Sequence, residues 1–210
     1  MSVCVLGPAD GVDRWAIRSA AAAAAAGSAT TQIDVGDARP IDESDTATAR
    51  AADVRVVLAS SVVGALLIAT IFDLPRAQPC RRIAVIAADG SEAHALFGIA
   101  DMLIFSTAAF AAMLGVAEIA DDVAALLPVQ ALLTRPNQAA VVRFGAGGAV
   151  AVWADRTLAV SGPDVGEDDG AMARFGGTIA AAVDQGIGPE RALEMALAAA
   201  APLRLAMIAP

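Results

Sequence analysis

The chain contains no lysine, because all fourteen of its basic residues are arginine. A lysine nucleophile, a Schiff base and the phosphate-binding lysine of a P-loop are therefore excluded. Charged residues make up only 18% of the 210 residues, and the formal net charge is −9. Because binding to a phosphate backbone needs clustered basic residues, nucleic acid is not an expected partner.

Histidine and cysteine are also scarce. His94 is the only histidine, and Cys4 and Cys80 have no metal-ligand spacing. This composition argues against a zinc site of the usual kind and predicts two reduced thiols in a cytoplasmic protein. A Ser-His-Asp hydrolase would have to use His94, whose neighbours instead predict the first turns of an ordinary helix.

The longest uncharged run of the chain is residues 56–72. It falls short of the roughly 20 residues that a spanning helix needs. Its first part is β-branched and its second part is helix-like, so it predicts a buried strand followed by a buried helix rather than a membrane segment. The start of the chain has no positively charged region, and we expect no signal peptide.

Hydrophobic residues make up 57% of the chain, and alanine dominates them. That is enough apolar material for one domain spanning residues 1–210. Strand and helix patterns alternate along the sequence, and residues 36–48 are polar and predict a loop. Strands are predicted at 3–6, 30–35, 54–59, 82–87, 102–105, 140–144, 150–153 and 158–160. Helices are predicted at 12–26, 61–72, 107–114, 117–127, 170–185 and 189–208. A further short helix is predicted to begin at residue 91.

This alternation predicts an α/β fold, a three-layer αβα sandwich with a mostly parallel central sheet. Ligands of such folds bind beyond the carboxyl ends of the strands. Asp89, Ser106 and the glycine-rich segment 145–148 follow predicted strands and are expected at those ends.

Three segments carry a family resemblance. Residues 141–148 read Val-Val-Arg-Phe-Gly-Ala-Gly-Gly, residues 170–175 read Gly-Ala-Met-Ala-Arg-Phe, and residues 188–201 form an alanine-rich helix pattern. Their order resembles the carboxyl-terminal half of ribokinase-like (PfkB) carbohydrate kinases over about residues 80–205. The resemblance implies a ribokinase-like fold, ATP and Mg²⁺ as cofactors, and a sugar or nucleoside as substrate.

The resemblance also implies roles for individual residues. The aspartate that serves these kinases as general base falls on Ala173, and their second glycine falls on Met172. Asp168 or Asp169 would hold a metal ion or replace the base; the alternative is that these acids only cap the helix. Arg143 and Arg174 would offset their charge, unless both are surface arginines. The nucleotide phosphates would lie near Gly145, Gly148, Gly170, Ala171 and Met172.

The amino-terminal part departs from the family pattern. Asp10 or Asp13 would correspond to the substrate-binding aspartate, but no strands of the family's lid are visible, so the lid is predicted to be largely absent. Without a lid, water is not excluded from the site.

Three hypotheses follow. The chain is a catalytically impaired homologue that binds a nucleotide or another small molecule, or acts as a partner protein; it is an active small-molecule kinase using a nearby acid; or it is a structural or interaction protein without a ligand. A homodimer is expected from the apolar composition.

Overall fold

The computed structural model describes residues 2–8, 14–35, 41–51, 53–76, 78–86, 89–90, 92–119, 127–144, 147–163 and 169–201. The strands are β1 (Ser2–Gly7), β2 (Ala29–Asp34), β3 (Val54–Ser60), β4 (Arg81–Val85), β5 (Met102–Ser106), β6 (Ala139–Phe144), β7 (Gly148–Val152) and β8 (Thr157–Ser161). The helices are α1 (Trp15–Ala25), α2 (Glu43–Ala49), α3 (Ala65–Phe72), α4 (Ala93–Phe97), α5 (Thr107–Leu114), α6 (Leu127–Gln130), α7 (Asp169–Asp184) and α8 (Pro189–Ala200).

The strands form one sheet in the order β2-β1-β3-β4-β5-β6-β7-β8. Strands β1 to β6 are parallel to one another. Strand β7 turns back against β6, and β8 turns back against β7. The central strands β1, β3 and β6 are apolar along nearly their whole length because helices cover both faces of the sheet.

Helices α1, α7 and α8 cover one face of this sheet, and α2 to α6 cover the other. Successive residues of a strand point to opposite faces. Val3 and Val5 therefore lie in the core beneath α1, α7 and α8, whereas Cys4 and Leu6 lie in the core beneath α2 to α6. The predicted three-layer sandwich is confirmed. All the described strands belong to this one sheet, so a separate lid sheet does not occur within the described ranges.

The predicted loop at residues 36–48 is wrong in its second half, where α2 begins at Glu43. The Asp42 side chain accepts a hydrogen bond from the Asp45 backbone N–H at 2.9 Å, and the Asp45 carboxylate accepts one from the Asp42 N–H at 3.1 Å. This reciprocal capping box starts a helix in a stretch whose polar composition predicts none.

The predicted helix at 117–127 is also wrong in its described part. Residues 116–119 are not helical, α6 begins only at Leu127, and residues 120–126 lie outside the described segments. The predicted helix at 61–72 is divided into a 3-10 turn, Ser61–Val63, and α3, because Gly64 between them has a φ of 87°. The run at 56–72 is therefore a buried strand followed by a helix, as predicted, but the helix is not buried along its whole length, since Leu66 is 84% exposed.

The last helix ends at Ala200 and not at residue 208. Ala201 has a φ of −58° and a ψ of 138°, which is not helical. It precedes Pro202 in the sequence, and a residue before proline avoids the helical region. Residues 202–210 lie outside the described part of the chain. None of the described helices is long and apolar enough to cross a bilayer.

Candidate functional site

The parallel strands end together at one edge of the sheet. We call it the carboxyl edge and define it by the last residues of five strands, namely Gly7, Ser60, Val85, Ser106 and Phe144. Open α/β sheets bind their ligands beyond this edge. Asp89 and Ser106 lie there as predicted, and Thr107 follows Ser106 as the first residue of α5.

Helix α7 begins at the carboxyl edge and runs antiparallel to the strands. A Cβ on Gly176 would lie 2.8 Å from Cγ2 of Val85, so the helix backbone lies directly against the end of β4. Seven residues separate Gly176 from Asp169, which is about 10 Å at 1.5 Å per residue. The first turn of α7, including Gly170, therefore extends past the last residue of β4.

Close contacts fix this helix start on two sides. On one side, the Ser19 hydroxyl of α1 donates a hydrogen bond to the Ala173 carbonyl at 3.0 Å. On the other side, the Arg174 guanidinium donates to the carbonyls of Ala199 and Ala200 at 3.1 and 3.0 Å. Arg174 therefore stabilises the carboxyl-terminal end of α8, where a cation offsets the helix dipole.

The residues at the predicted phosphate site are buried. Gly170, Ala171, Met172 and Ala173 are all buried, and Ala173 has no exposed surface. Its methyl side chain has no proton-accepting atom. The position that the motif resemblance predicts for a general base therefore holds a buried apolar side chain.

Arg143 is the largest fully buried side chain of the described residues. It is the penultimate residue of β6, and alternation along that strand places it with Val141 on the face covered by α7 and α8. Its carbonyl accepts a hydrogen bond from the Thr107 hydroxyl at 3.2 Å. The alternative that Arg143 is a surface arginine is wrong. A permanent positive charge is buried at the same edge, and on the same face, as the start of α7.

Two further features of this edge escape the sequence analysis. The ring of Trp15 is buried and lies against Gly7 at the end of β1. Beyond β3, Val62 and Leu66 are 61% and 84% exposed, which is unusual for large apolar side chains. The Glu92 carboxylate accepts a hydrogen bond from the Ala65 N–H at 2.9 Å and holds α3 beside them.

The other residues that the sequence predicts for the site include two that the structure describes, Gly148 and Asp169. Gly148 opens β7, where a Cβ would lie 2.6 Å from the Val160 carbonyl, so close strand pairing itself requires glycine there. Asp169 is the first residue of α7. Asp10, Asp13, Gly145 and Asp168 lie outside the described residues.

Within the described part of the chain, no three His, Cys, Asp or Glu residues are close enough to hold a metal ion. The metal role of Asp168 and Asp169 stays a prediction. The thiols are free, and burial raises the pKa of Cys4 to about 12, so this thiol is unreactive at neutral pH. His94 lies exposed in α4, in the ordinary helix that its neighbours predict.

Comparisons with solved structures identify the fold. A protein assigned as a ribokinase from Agrobacterium tumefaciens matches with a TM-score of 0.73 at 18% identity, over 95% of this chain and 90% of its own. The pyridoxal kinase from Staphylococcus aureus, in complex with AMP-PCP and pyridoxal, has a TM-score of 0.73 at 10% identity, over 93% of this chain and 85% of its own. A PfkB protein from Polaromonas sp. JS666 has a TM-score of 0.70 at 14% identity, over 96% and 95%.

No protein-family model and no curated protein sequence matches the chain. At these identities the structural likeness shows the fold alone, and that fold is ribokinase-like, as the motifs predict.

Proposed function

We infer that the chain is a divergent homologue of the ribokinase-like kinases that binds a nucleotide at the carboxyl edge but transfers its phosphoryl group slowly or not at all. The observation that supports binding most strongly is Arg143, which is completely buried at the edge and on the face where α7 begins. The S. aureus pyridoxal kinase of the same fold is solved with AMP-PCP and pyridoxal, which makes a nucleotide and a small molecule the ligands to test first.

Two features of the site favour a phosphate group. The start of α7 carries the partial positive charge of a helix amino terminus. The guanidinium of Arg143 adds a full charge where burial lowers the local dielectric constant and strengthens its attraction for an anion. Because the protein has a net charge of −9, a cation is needed to reduce repulsion of ATP, and Asp168 or Asp169 would hold Mg²⁺ for that purpose.

Catalysis is impaired because the proton acceptor is missing. In phosphoryl transfer the attacking hydroxyl must lose its proton, and in the family that the motifs resemble an aspartate near the start of the corresponding helix takes it. The motif resemblance puts Ala173 at that position, and its side chain is fully buried. Losing a general base lowers the rate by about 10²–10⁴-fold, which leaves binding intact and turnover weak.

Calorimetric titration of the purified chain with AMP-PCP and Mg²⁺ tests the binding. We expect saturable binding that weakens by about tenfold in Arg143→Met, because this change removes a buried positive charge that attracts the phosphates. Arg143→Lys, which keeps the charge, should retain part of the affinity. Arg191→Gln is the matched control, because Arg191 is exposed on α8 and pairs with Glu194.

Circular dichroism and thermal melting must show that each variant is folded, because removing a buried arginine also changes the core. If the folded wild-type chain binds no nucleotide at millimolar concentration, the proposed function is wrong. If Arg143→Lys and Arg143→Met are both folded and bind like the wild type, Arg143 is not part of the site.

A further inference from the structure

A second concave site lies at the opposite edge of the sheet. We call it the amino-edge cleft; it lies where β4, β5 and β6 begin, at Arg81, Met102 and Ala139. The carboxyl-terminal end of α7 and the first turns of α8 form its other wall. Val183 of this wall is thirteen residues from Gly170, which places the cleft about 20 Å along the helix from the nucleotide site.

The cleft has a volume of about 310 Å³, at the lower end of the range of small-molecule sites. Its floor is apolar and is formed by strands and helices together, with Ile83, Val141 and Ile179 as examples. Alanines at 151 and 192 face this space, and their small side chains leave it unfilled. An apolar body of limited size therefore fits the floor.

The rim is polar and carries arginine. Arg81, Asn137 and Arg156 line the mouth. Asp101 is the one carboxylate among the cleft-lining residues that the structure describes. It is already bound by two guanidinium groups, since its Oδ1 lies 2.9 Å from Arg82 Nη2 and 3.3 Å from Arg135 Nη1.

Arg81 and Arg156 have no ion pair with any described carboxylate. Asp155 and Glu190 are exposed nearby but do not line the cleft. Two guanidinium groups thus remain available at the mouth, although the protein as a whole is acidic.

Arg156 is held in place at this mouth. Its guanidinium carbon lies 4.6 Å from the centroid of the Trp153 ring, a cation–π contact. The turn between them is closed by a hydrogen bond from the Trp153 N–H to the Arg156 carbonyl at 2.8 Å. Gln130 Nε2 also donates to the Trp153 carbonyl at 3.3 Å. The hydrogen bonds fix the backbone of the turn, and the cation–π contact reduces the freedom that the guanidinium loses when it binds an anion.

We propose that the amino-edge cleft binds a small amphipathic carboxylate, with its apolar body on the floor and its carboxylate between Arg81 and Arg156. Guanidinium and carboxylate groups match in plane and in hydrogen-bond geometry, which favours a carboxylate as the charged group. The site shares no described residue with the proposed nucleotide site and does not depend on it.

The test uses the intrinsic fluorescence of tryptophan. The chain has two tryptophans and no tyrosine, and Trp153 lines the cleft whereas Trp15 lies at the other edge. The folded wild-type protein is titrated with 4-phenylbutyrate, with its neutral amide and with acetate. We expect saturable quenching by 4-phenylbutyrate alone, and none in a folded Trp153→Phe variant.

Arg81→Gln and Arg156→Gln should each weaken binding of 4-phenylbutyrate by about tenfold, because each removes charge-assisted hydrogen bonds. Both side chains are exposed, so these variants should fold. Arg191→Gln, on the outer surface of α8, is the matched control and should bind like the wild type.

Equal binding of the amide and the acid would overturn the role of charge, and equal binding of acetate would overturn the role of the apolar floor. Unchanged affinity in both arginine variants, or quenching that never saturates, would overturn the site itself. Nucleotide binding is measured separately on the same protein. A negative result for one of the two proposals therefore leaves the other unaffected.

Discussion

At the carboxyl edge of the sheet one arginine, Arg143, is completely buried on the face that α7 covers, whereas at the amino edge Arg81 and Arg156 are exposed around an open cleft. Burying a guanidinium costs several kcal/mol unless charged or polar groups compensate for the lost water. An exposed guanidinium keeps its water until a ligand replaces it. The buried Arg143 side chain is held in one conformation by its surroundings, whereas the exposed Arg81 and Arg156 side chains can adjust to ligands of different shape.

The two edges also differ in how tightly their helices and strands are packed. The start of α7 is bound to α1 through Ser19 and to α8 through Arg174. The amino-edge cleft lies where α7 has ended and α8 has just begun, and alanines leave its floor unfilled. The contrast teaches that the tightly packed edge is suited to positioning a reactive group, while the loosely packed edge is suited to holding an apolar ligand.

Restoring a base at the carboxyl edge should give the largest effect. In the double variant Met172→Gly with Ala173→Asp, we expect ATP turnover with a sugar, nucleoside or pyridoxal acceptor to rise by about 10²–10⁴-fold, because the attacking hydroxyl regains a proton acceptor. A coupled assay of ADP release measures it. The double variant with Ala173→Asn is the control, since asparagine has nearly the same size and accepts no proton at neutral pH.

Two results would contradict the proposed loss of the base. One is robust acceptor-dependent turnover by the unaltered chain, which would favour a working kinase that uses an acid such as Asp168 or Asp169. The other is equal activity of the Asp and Asn variants, which would mean that residue 173 does not exchange a proton with substrate.

A smaller effect is expected from the packing that fixes α7. A Cβ on Gly177 would overlap the Ser19 carbonyl of α1, and backbone cannot move aside as a side chain does. We expect Gly177→Ala to lower the free energy of unfolding by about 1–3 kcal/mol, although the same change in an exposed helix stabilises by up to about 1 kcal/mol. Urea denaturation measures the difference.

Gly98→Ala provides the matched control, because Gly98 is exposed, has helical φ and ψ, and a Cβ there would approach nothing closer than 4.0 Å. It should be neutral or slightly stabilising. If Gly177→Ala were as stable as the control, the close approach of α1 and α7 would not be what holds the helix start in place.

Much of the fold could be predicted because local patterns agree with the tertiary structure. The strands of the sheet show as short apolar runs, and Ser106 ends β5 and caps α5 as its position suggests. The predictions are wrong where a short local signal outweighs the pattern of the surrounding residues. The pair Asp42 and Asp45 begins a helix inside a polar stretch, and α8 ends early because Ala201 precedes Pro202.

The candidate site was predictable only in part. The start of α7 followed from a motif, but the burial of Arg143 did not, because arginine is usually exposed. One signal was present, since Arg143 is the only charged residue in β6, a strand covered on both faces. The amino-edge cleft left no such signal. Its residues, among them Arg81, Arg156 and Leu193, are far apart in sequence and meet only through the folding of the whole sheet.

Hydrogen–deuterium exchange with and without AMP-PCP and Mg²⁺ tests the nucleotide site most directly. Nucleotide should slow amide exchange in the first turns of α7, at residues 170–175, and at the end of β6, at residues 143–144, while the amino edge around Arg81 stays unchanged. Protection confined to the amino edge, or no protection of α7 at a saturating nucleotide concentration, would contradict a nucleotide site at the carboxyl edge.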